Sequence, residues 1–226
     1  MARFDRLTVY NTIFKDGMMP LFFNKDKEEA KKITEALVKG GCHVLEFTNR
    51  GEGALEVFSY LIKIAPEFFP ELIIGIGTII DASTAALYIS YGANFIVGPS
   101  FNEEIARLCN LRRIPYIPGA ATVNEILKAE EFGAELIKIF PGSTIGGPKF
   151  VEALLGPCPK TKVMPTGGVS VDEENIKAWF KAGVACIGMG SQLVSKKAMA
   201  DKDYKSIKEN AAKALEIIKK VRSNTV

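Results

Sequence analysis

Short apolar runs rich in β-branched residues alternate with helix-like stretches along this chain at a nearly constant spacing. Such alternation is typical of repeated βα units around a parallel sheet. Eight runs are predicted as strands, at residues 18–23, 43–48, 72–78, 94–99, 115–118, 135–141, 162–166 and 185–189. Eight parallel strands favour the closed α/β architecture known as the (β/α)8 or TIM barrel. The pattern also predicts an N-terminal helix before the first strand and a long amphipathic helix at the C-terminus.

Length and composition bound the architecture. The chain has 226 residues, 47% of them hydrophobic, which suffices for one large core. No stretch rich in proline, glycine or serine marks a linker, so we expect residues 1–226 to form a single barrel domain.

Charge and cysteine content limit the kinds of partner and cofactor that we expect. A net charge of +3, from 29 basic and 26 acidic residues without a basic stripe, points away from nucleic acid and from membrane surfaces. Four cysteines without a C-x-x-C pair and a single histidine, His43, offer no metal cluster. The start lacks an apolar signal region, and no run is long enough to span a membrane. We expect a cytoplasmic protein with reduced thiols and neither metal nor cofactor.

Lys138 lies in the middle of the apolar run 135–141. Alternation places it on the same face as Leu136 and Phe140, so its amine points wherever those side chains point. Inside a barrel the amine would be desolvated, which disfavours its charged form and makes it a nucleophile able to form a Schiff base. A lysine that snorkels to water, or that pairs with a carboxylate, is the structural alternative.

Active sites of such barrels lie at the C-terminal ends of the strands, so polar residues there carry functional weight. On the second strand Glu46 faces inward, and Arg50 has the same parity at the strand's end. Glu46 is suited to general acid and base catalysis, and the planar fork of Arg50 matches a substrate carboxylate. A Glu46–Lys138 ion pair that only fills the barrel is the alternative, disfavoured because burying two charges without a task costs more than an apolar pair.

Several strand-end turns carry residues suited to ligand binding. The third strand ends at Gly75-Ile76-Gly77-Thr78, where two glycines would let the backbone approach a ligand and Thr78 offers a hydroxyl. Thr166-Gly167-Gly168 and Gly190-Ser191 end the seventh and eighth strands, where barrels commonly hold phosphate with backbone N–H groups and a helix N-terminus. Pro99 and Phe140 are candidate apolar walls. None of the glycine-rich turns completes a dinucleotide-binding or P-loop pattern.

In combination and order, six motifs resemble the class I aldolases that cleave 2-keto-3-deoxy-6-phosphogluconate (KDPG) and 4-hydroxy-2-oxoglutarate (KHG). The motifs span nearly the whole chain and are residues 45–50 (LEFTNR), 75–78 (GIGT), 95–99 (FIVGP), 117–119 (IPG), 138–141 (KIFP) and 165–169 (PTGGV). Two departures stand out. Asn49 replaces a common leucine, and Gly98 and Ser100 flank Pro99 where serine and glycine are common.

The resemblance implies a homotrimeric barrel acting on a small 2-oxo acid. Lys138 would be the Schiff-base residue and Glu46 the general acid and base. Arg50 and Thr78 would bind the pyruvate carboxylate. The far end of the substrate, a phosphate in KDPG, would lie near the remaining polar positions, which are Thr166, Gly167, Gly168, Gly190 and Ser191. The products would be pyruvate and either glyceraldehyde 3-phosphate or glyoxylate.

Two other function classes fit the same barrel. A metal-free phosphosugar isomerase or epimerase would need a carboxylate pair or a histidine placed for proton shuttling, and only Glu46 presents itself. A non-catalytic phosphosugar-binding module would leave a buried Lys138 without a purpose.

Overall fold

A computed structural model of the protein describes residues 2–223, and all statements on structure refer to this part of the chain. Its helices are α1 Arg6–Asp16, α2 Lys27–Lys39, α3 Ala54–Phe68, α4 Ala82–Ser90, α5 Glu103–Arg112, α6 Val123–Glu131, α7 Pro148–Leu155, α8 Glu173–Lys181, α9 Lys196–Ala200 and α10 Tyr204–Ser223. Its strands are β1 Met18–Phe22, β2 Val44–Thr48, β3 Ile73–Gly77, β4 Ile96–Val97, β5 Tyr116–Ile117, β6 Gly119–Ala120, β7 Ile137–Ile139, β8 Val163–Pro165 and β9 Ile187–Met189.

All strand pairs are parallel, and each of the eight predicted runs contains a strand. A curled six-stranded sheet has the order β5-β4-β3-β2-β1-β9, and a three-stranded sheet has the order β6-β7-β8. A single parallel bridge between Thr166 and Gly188 connects the end of β8 to β9. The prediction of an α/β fold with a parallel sheet is confirmed.

The fifth predicted strand, residues 115–118, contains β5, and a further short strand, β6, begins directly after Pro118. Proline has no backbone N–H and cannot donate to a ladder, so β5 ends before it and β6 begins after it. The carbonyl of Pro118 still accepts a hydrogen bond from the Lys138 N–H at 2.8 Å. The segment thereby changes partner, since β5 pairs with β4 while β6 pairs with β7.

Helices α2 and α8 begin at an aspartate whose carboxylate accepts backbone N–H groups of the first turn, as expected for an N-cap. Four turns that end a helix have a glycine with positive φ just before the next strand, at Gly41, Gly92, Gly133 and Gly183. These local signals explain why the sequence-based boundaries lie close to the observed ones. No helix among the described residues has the length and apolar character of a membrane span.

Two apolar clusters form the core. The larger lies between the strands and the surrounding helices. The smaller lies inside the curled sheet, where Val9, Tyr10 and Ile13 of α1 pack against inward side chains of the strands. Those residues lie in the strands or directly before them, and they are Met19, Val44, Ile73, Phe95, Val97, Ile117, Leu136, Met164 and Cys186. Helix α1 thus supplies an apolar floor to the interior.

Candidate active site

Lys138 and Glu46 meet inside the sheet. Lys138 lies two residues after Leu136 of the apolar floor, and Glu46 lies two residues after Val44. Both side chains therefore face the interior one layer closer to the C-terminal ends of the strands. The Lys138 Nζ atom is 3.6 Å from Glu46 Oε1. The two residues are 4% and 0% exposed. The sequence-based inference that they are close together is therefore correct.

Neither oxygen of the Glu46 carboxylate has a hydrogen-bond partner among the described residues. The distance to Lys138 is longer than a good hydrogen bond, which spans about 2.7–3.2 Å for N–H···O. A buried carboxylate without hydrogen bonds is costly, and such sites are functional candidates rather than packing solutions. The amine and the carboxylate are close enough for both to reach one small molecule bound beside them.

Gly75 and Gly77 serve a purpose different from the one expected. The sequence suggests that they let the backbone approach a ligand, but the space that a Cβ would fill at Gly75 is taken by the Phe95 ring. At Gly77 that space is taken by the Glu46 carboxylate. These glycines make room for protein side chains, and Gly77 in particular allows Glu46 to point toward Lys138.

Arg50 is exposed and lies two residues beyond the C-terminal end of β2, the strand that contains Glu46. Its Nε donates to the hydroxyl of Thr78 at 3.3 Å, which brings the two predicted carboxylate-binding residues together. Thr78 has a φ of 64°, a left-handed conformation that is rare for a β-branched residue and costs about 1–3 kcal/mol. Backbone strain of this kind clusters at functional sites, and here it turns the threonine hydroxyl toward Arg50.

A cleft of about 190 Å³ at the strand ends collects seven of the predicted site residues. They are Arg50, Phe140, Thr166, Gly167, Gly168, Gly190 and Ser191. Lys138 does not line this cleft, but its Nζ lies 5.4 Å from the centre of the Phe140 ring, which does. Pro99 also lies outside it, and its carbonyl packs against Gly119 at the start of β6.

Thr166 is buried under the glycine turns. The residue is only 5% exposed, and yet its hydroxyl has no hydrogen-bond partner within residues 2–223. The hydroxyl occupies the space that a Cβ would take at Gly188 on the adjacent strand. Glycine at 188 therefore makes room for the buried Thr166 hydroxyl, beside the cleft that both residues line.

The glycine turns offer backbone donors, but no helix begins at them. Helix α8 starts at Glu173 behind its own cap, and α9 starts only at Lys196. In place of a full helix, a single helical turn begins at Gly190, whose carbonyl accepts a hydrogen bond of 2.9 Å from the Val194 N–H. The N–H groups of Gly167, Gly168 and Ser191 make no hydrogen bond to another described residue, so they remain free to bind an anion.

Sequence reasoning missed four residues that line the cleft, namely Leu21, Val169, Gly188 and Gln192. Leu21 and Val169 are apolar, so they resemble core positions. Leu21 has the same inward parity as Met19, a signal that would have placed it near the strand ends. Gln192 directly follows Ser191, and its polar side chain after a strand end would have justified its inclusion.

Metal binding finds no support in the described part of the chain, which has no group of three or more His, Cys, Asp or Glu side chains placed to hold an ion. The chemistry that the site itself offers is that of an amine beside a carboxylate, with a guanidinium and backbone donors around a small cleft. This set suits covalent catalysis on a carbonyl compound that carries anionic groups.

Comparison with known proteins gives a family match over most of the chain. The sequence model described as KDPG and KHG aldolase matches residues 9–210. The KHG/KDPG aldolase of Escherichia coli K12 is 34% identical over 199 residues, which cover 88% of this chain and 91% of that protein. The 2-dehydro-3-deoxy-phosphogluconate aldolase of Dickeya dadantii is 33% identical over 88% of this chain and 90% of its own length.

A solved structure with a similar fold is the KDPG aldolase of Legionella pneumophila, which holds pyruvate captured as a covalent carbinolamine intermediate. The TM-score is 0.81 at 30% sequence identity, with 89% of this chain and 95% of that chain covered.

The packing of Gly77 against Glu46 generates a prediction. Gly77→Ala is expected to lower the free energy of unfolding by about 1–3 kcal/mol, because the new methyl group overlaps the Glu46 carboxylate. Glu46→Asp withdraws the carboxylate by one methylene, so Gly77→Ala should cost less in that background. Urea unfolding of the four proteins measures the coupling.

Gly75→Ala is the matched control, because its methyl group would meet the Phe95 ring and not Glu46. It should cost the same in the wild-type and Glu46→Asp backgrounds. An equal cost of Gly77→Ala in both backgrounds would contradict the observed packing.

Proposed function

Because this chain belongs to the KDPG and KHG aldolase family, we propose that Lys138 is its Schiff-base residue and Glu46 its general acid and base. The protein is a class I aldolase, a carbon–carbon lyase that cleaves KDPG or KHG to pyruvate and an aldehyde. The observation that carries the assignment of roles is the 3.6 Å separation of Lys138 Nζ and Glu46 Oε1 in a buried interior.

The first half of the reaction forms the covalent intermediate. The uncharged Lys138 amine attacks C2 of the 2-oxo acid, the carbonyl electrons move to oxygen, and a proton passes from the nitrogen to that oxygen to give a carbinolamine. Glu46 delivers a proton to the departing hydroxyl, which leaves as water, and a protonated imine remains. The absence of hydrogen bonds from described residues to the Glu46 oxygens supports this role, since both are free to carry the proton.

The second half breaks the C3–C4 bond. Glu46, now a carboxylate, removes the proton of the C4 hydroxyl as the C3–C4 electron pair moves to the iminium, so the aldehyde leaves and an enamine remains. Protonation of the enamine at C3 and addition of water then release pyruvate and regenerate the Lys138 amine. Glu46 thus gives up a proton when water leaves in the first half and takes a proton when the C3–C4 bond breaks in the second.

Substrate orientation is assigned to the strand ends. Arg50 and Thr78, already hydrogen-bonded to each other, bind the C1 carboxylate. Phe140 forms an apolar wall above Lys138, and Pro99 shapes the neighbouring loop.

The far end of the substrate lies along the glycine turns of the cleft. The Thr166 hydroxyl, which has no partner within residues 2–223, faces the C4 to C6 portion. A phosphate is bound by backbone donors at Gly167, Gly168 and Gly190 and by Ser191. Unphosphorylated KHG reaches these turns less completely, so the cradle favours phosphorylated substrates.

At the level of architecture we assign one domain, residues 1–226, closed as an eight-stranded (β/α)8 barrel. The single residue Pro118 between β5 and β6 supports their being one strand, and the Thr166–Gly188 bridge supports closure between β8 and β9. A homotrimer and a cytoplasmic location complete the proposal, and both rest on resemblance and composition rather than on contacts.

The alternative functions are less well supported. An isomerase or epimerase would need a second acid or base across the substrate, and the interior pairs Glu46 with an amine instead. A non-catalytic binding module would gain nothing from a buried lysine beside a carboxylate. Family membership favours the aldolase over both.

Trapping the intermediate tests the role of Lys138. Pyruvate with borohydride should inactivate the enzyme and leave a reduced adduct on Lys138, because reduction of the imine makes the bond permanent. Peptide mass mapping identifies the modified residue, and Lys138→Arg should acquire no adduct. An adduct on a different lysine in the wild-type protein would refute the assignment.

Removing the proton carrier tests Glu46. Glu46→Gln should lower kcat by about 10²–10⁴-fold, the usual range for loss of a general acid or base, while slow Schiff-base formation persists. Exchange of pyruvate methyl protons with deuterium from solvent, followed by NMR, reports the C3 proton transfer separately from cleavage. A variant that exchanges as fast as the wild type would show that Glu46 is not the carrier.

Substrate length tests the phosphate cradle. KDPG should be cleaved with a higher kcat/KM than KHG, because binding energy at the phosphate is realised in the transition state. Ser191→Glu should depress kcat/KM for KDPG through charge repulsion and steric block, and spare KHG. Ser191→Ala, which removes the hydroxyl without adding charge, is the control and should have a smaller effect. Equal losses on both substrates would indicate a folding defect instead of a cradle.

A further inference from the structure

Arg50 depends on other residues for its position. The residue is exposed, and among the described residues the one hydrogen-bond partner of its side chain is the Thr78 hydroxyl at 3.3 Å. A guanidinium has five N–H donors, so most remain available to a ligand but contribute nothing to fixing the side chain. Long exposed side chains lose much conformational entropy when they are fixed. The direction of Arg50 is therefore determined largely by the backbone that precedes it.

That backbone is fixed at Asn49. The Asn49 N–H donates to the Gly77 carbonyl at 2.9 Å, which extends the β2–β3 pairing by one residue. The Arg50 N–H then donates to the Thr48 carbonyl at 3.0 Å, so the chain turns sharply immediately after Asn49. Asn49 is the last residue that the sheet holds before Arg50.

The Asn49 side chain is held from the helix layer. Its Oδ1 accepts a hydrogen bond of 2.9 Å from the hydroxyl of Tyr88 on α4. Tyr88 is 2% exposed, and its ring packs edge-on against Phe58 with the ring centres 5.2 Å apart. Burial, with a smaller effect of the Glu56 carboxylate, raises the pKa of Tyr88 to about 12, so the hydroxyl stays protonated. A rigid donor thus fixes the residue next to Arg50.

Asn49 does not belong to the cleft itself. It is absent from the cleft lining, whereas Arg50 is part of it. Its side chain points to the helices because successive residues of a strand face opposite sides. A direct contact of Asn49 with the aldehyde half of a substrate finds no support in this geometry.

We propose that Asn49 and Tyr88 are positioning residues for the known reaction, which orient Arg50 toward the carboxylate of the 2-oxo acid. The inference rests on the proposed role of Arg50 in binding that carboxylate. A leucine at position 49 cannot accept the hydrogen bond, so it would leave the buried Tyr88 hydroxyl unpaired and the turn before Arg50 less restrained. We call the Tyr88–Asn49 hydrogen bond the tether, because it holds the residue that precedes the carboxylate-binding arginine.

The C1 carboxylate is present in the substrate, in the transition state and in pyruvate. Arg50 should therefore bind the substrate and the transition state equally strongly, which is called uniform binding. Loss of uniform binding raises KM and leaves kcat nearly unchanged. Tyr88→Phe and Asn49→Leu should each raise KM about three- to tenfold, the equivalent of one net hydrogen bond, with kcat within about twofold. The factor should be the same for KDPG and KHG, because both carry the C1 carboxylate.

Steady-state kinetics of a double-mutant cycle test the proposal. In an Arg50→Ala background, Tyr88→Phe should cause no further rise in KM, because its effect passes through Arg50. The double variant Asn49→Leu/Tyr88→Phe should be no worse than the more affected single variant, since both remove the same hydrogen bond. Tyr10→Phe is the matched control. It removes a buried hydroxyl at the opposite end of the interior and should leave KM unchanged.

The outcomes distinguish failure of the Asn49–Tyr88 proposal from failure of the proposed carboxylate-binding role of Arg50. An unchanged KM in Tyr88→Phe, together with a raised KM in Arg50→Ala, would overturn the tether and leave the role of Arg50 intact. A rise in KM for Tyr88→Phe that persists in full without Arg50 would also overturn it. An unchanged KM in Arg50→Ala would refute the proposed carboxylate site and the tether with it.

Discussion

The contact between Lys138 and Glu46 is the interaction on which the site depends. Both groups are withdrawn from water, and burial of each alone would be strongly unfavourable. Their separation of 3.6 Å offsets part of that penalty, yet neither Glu46 oxygen has a hydrogen bond from a described residue that would offset the rest. A pair of this kind is weak evidence for stability and stronger evidence for chemistry.

The surrounding structure makes this pair possible. Helix α1 and the first inward residues of the strands form an apolar floor, which keeps water from reaching the amine from below. Gly77 leaves the space that the Glu46 carboxylate occupies. Above the pair, Phe140 connects Lys138 to the cleft, where the strand ends supply the polar groups. At the rim, Arg50 lies beside Thr78, which has a left-handed backbone, and directly after Asn49, which accepts the Tyr88 hydrogen bond.

Much of this arrangement could be predicted from the sequence, because it follows from periodicity. Alternation correctly places Leu136 in the interior and Lys138 above it, and it gives Glu46 the same facing. Strand positions are also predictable, since apolar runs ended by glycine and proline mark them.

Other features depend on which strands are neighbours, and a single sequence does not contain that information. The purposes of Gly75 and Gly77 differ from the prediction because they are defined by Phe95 and Glu46, side chains of adjacent strands. The absence of a helix at the glycine turns, within the described residues, depends on loop paths after β8 and β9. The Tyr88 contact of Asn49 joins residues 39 positions apart, which no local pattern reports.

The central claim is that the Glu46–Lys138 pair is present for catalysis at a cost in stability. Urea unfolding of the wild type, Glu46→Met, Lys138→Met and the double variant tests it most directly. Each single variant should lose about 3–5 kcal/mol because it leaves the other ionisable group buried without its partner, whereas the inactive double variant should be at least as stable as the wild type. A double variant several kcal/mol less stable than the wild type would contradict the claim and identify the pair as a structural element.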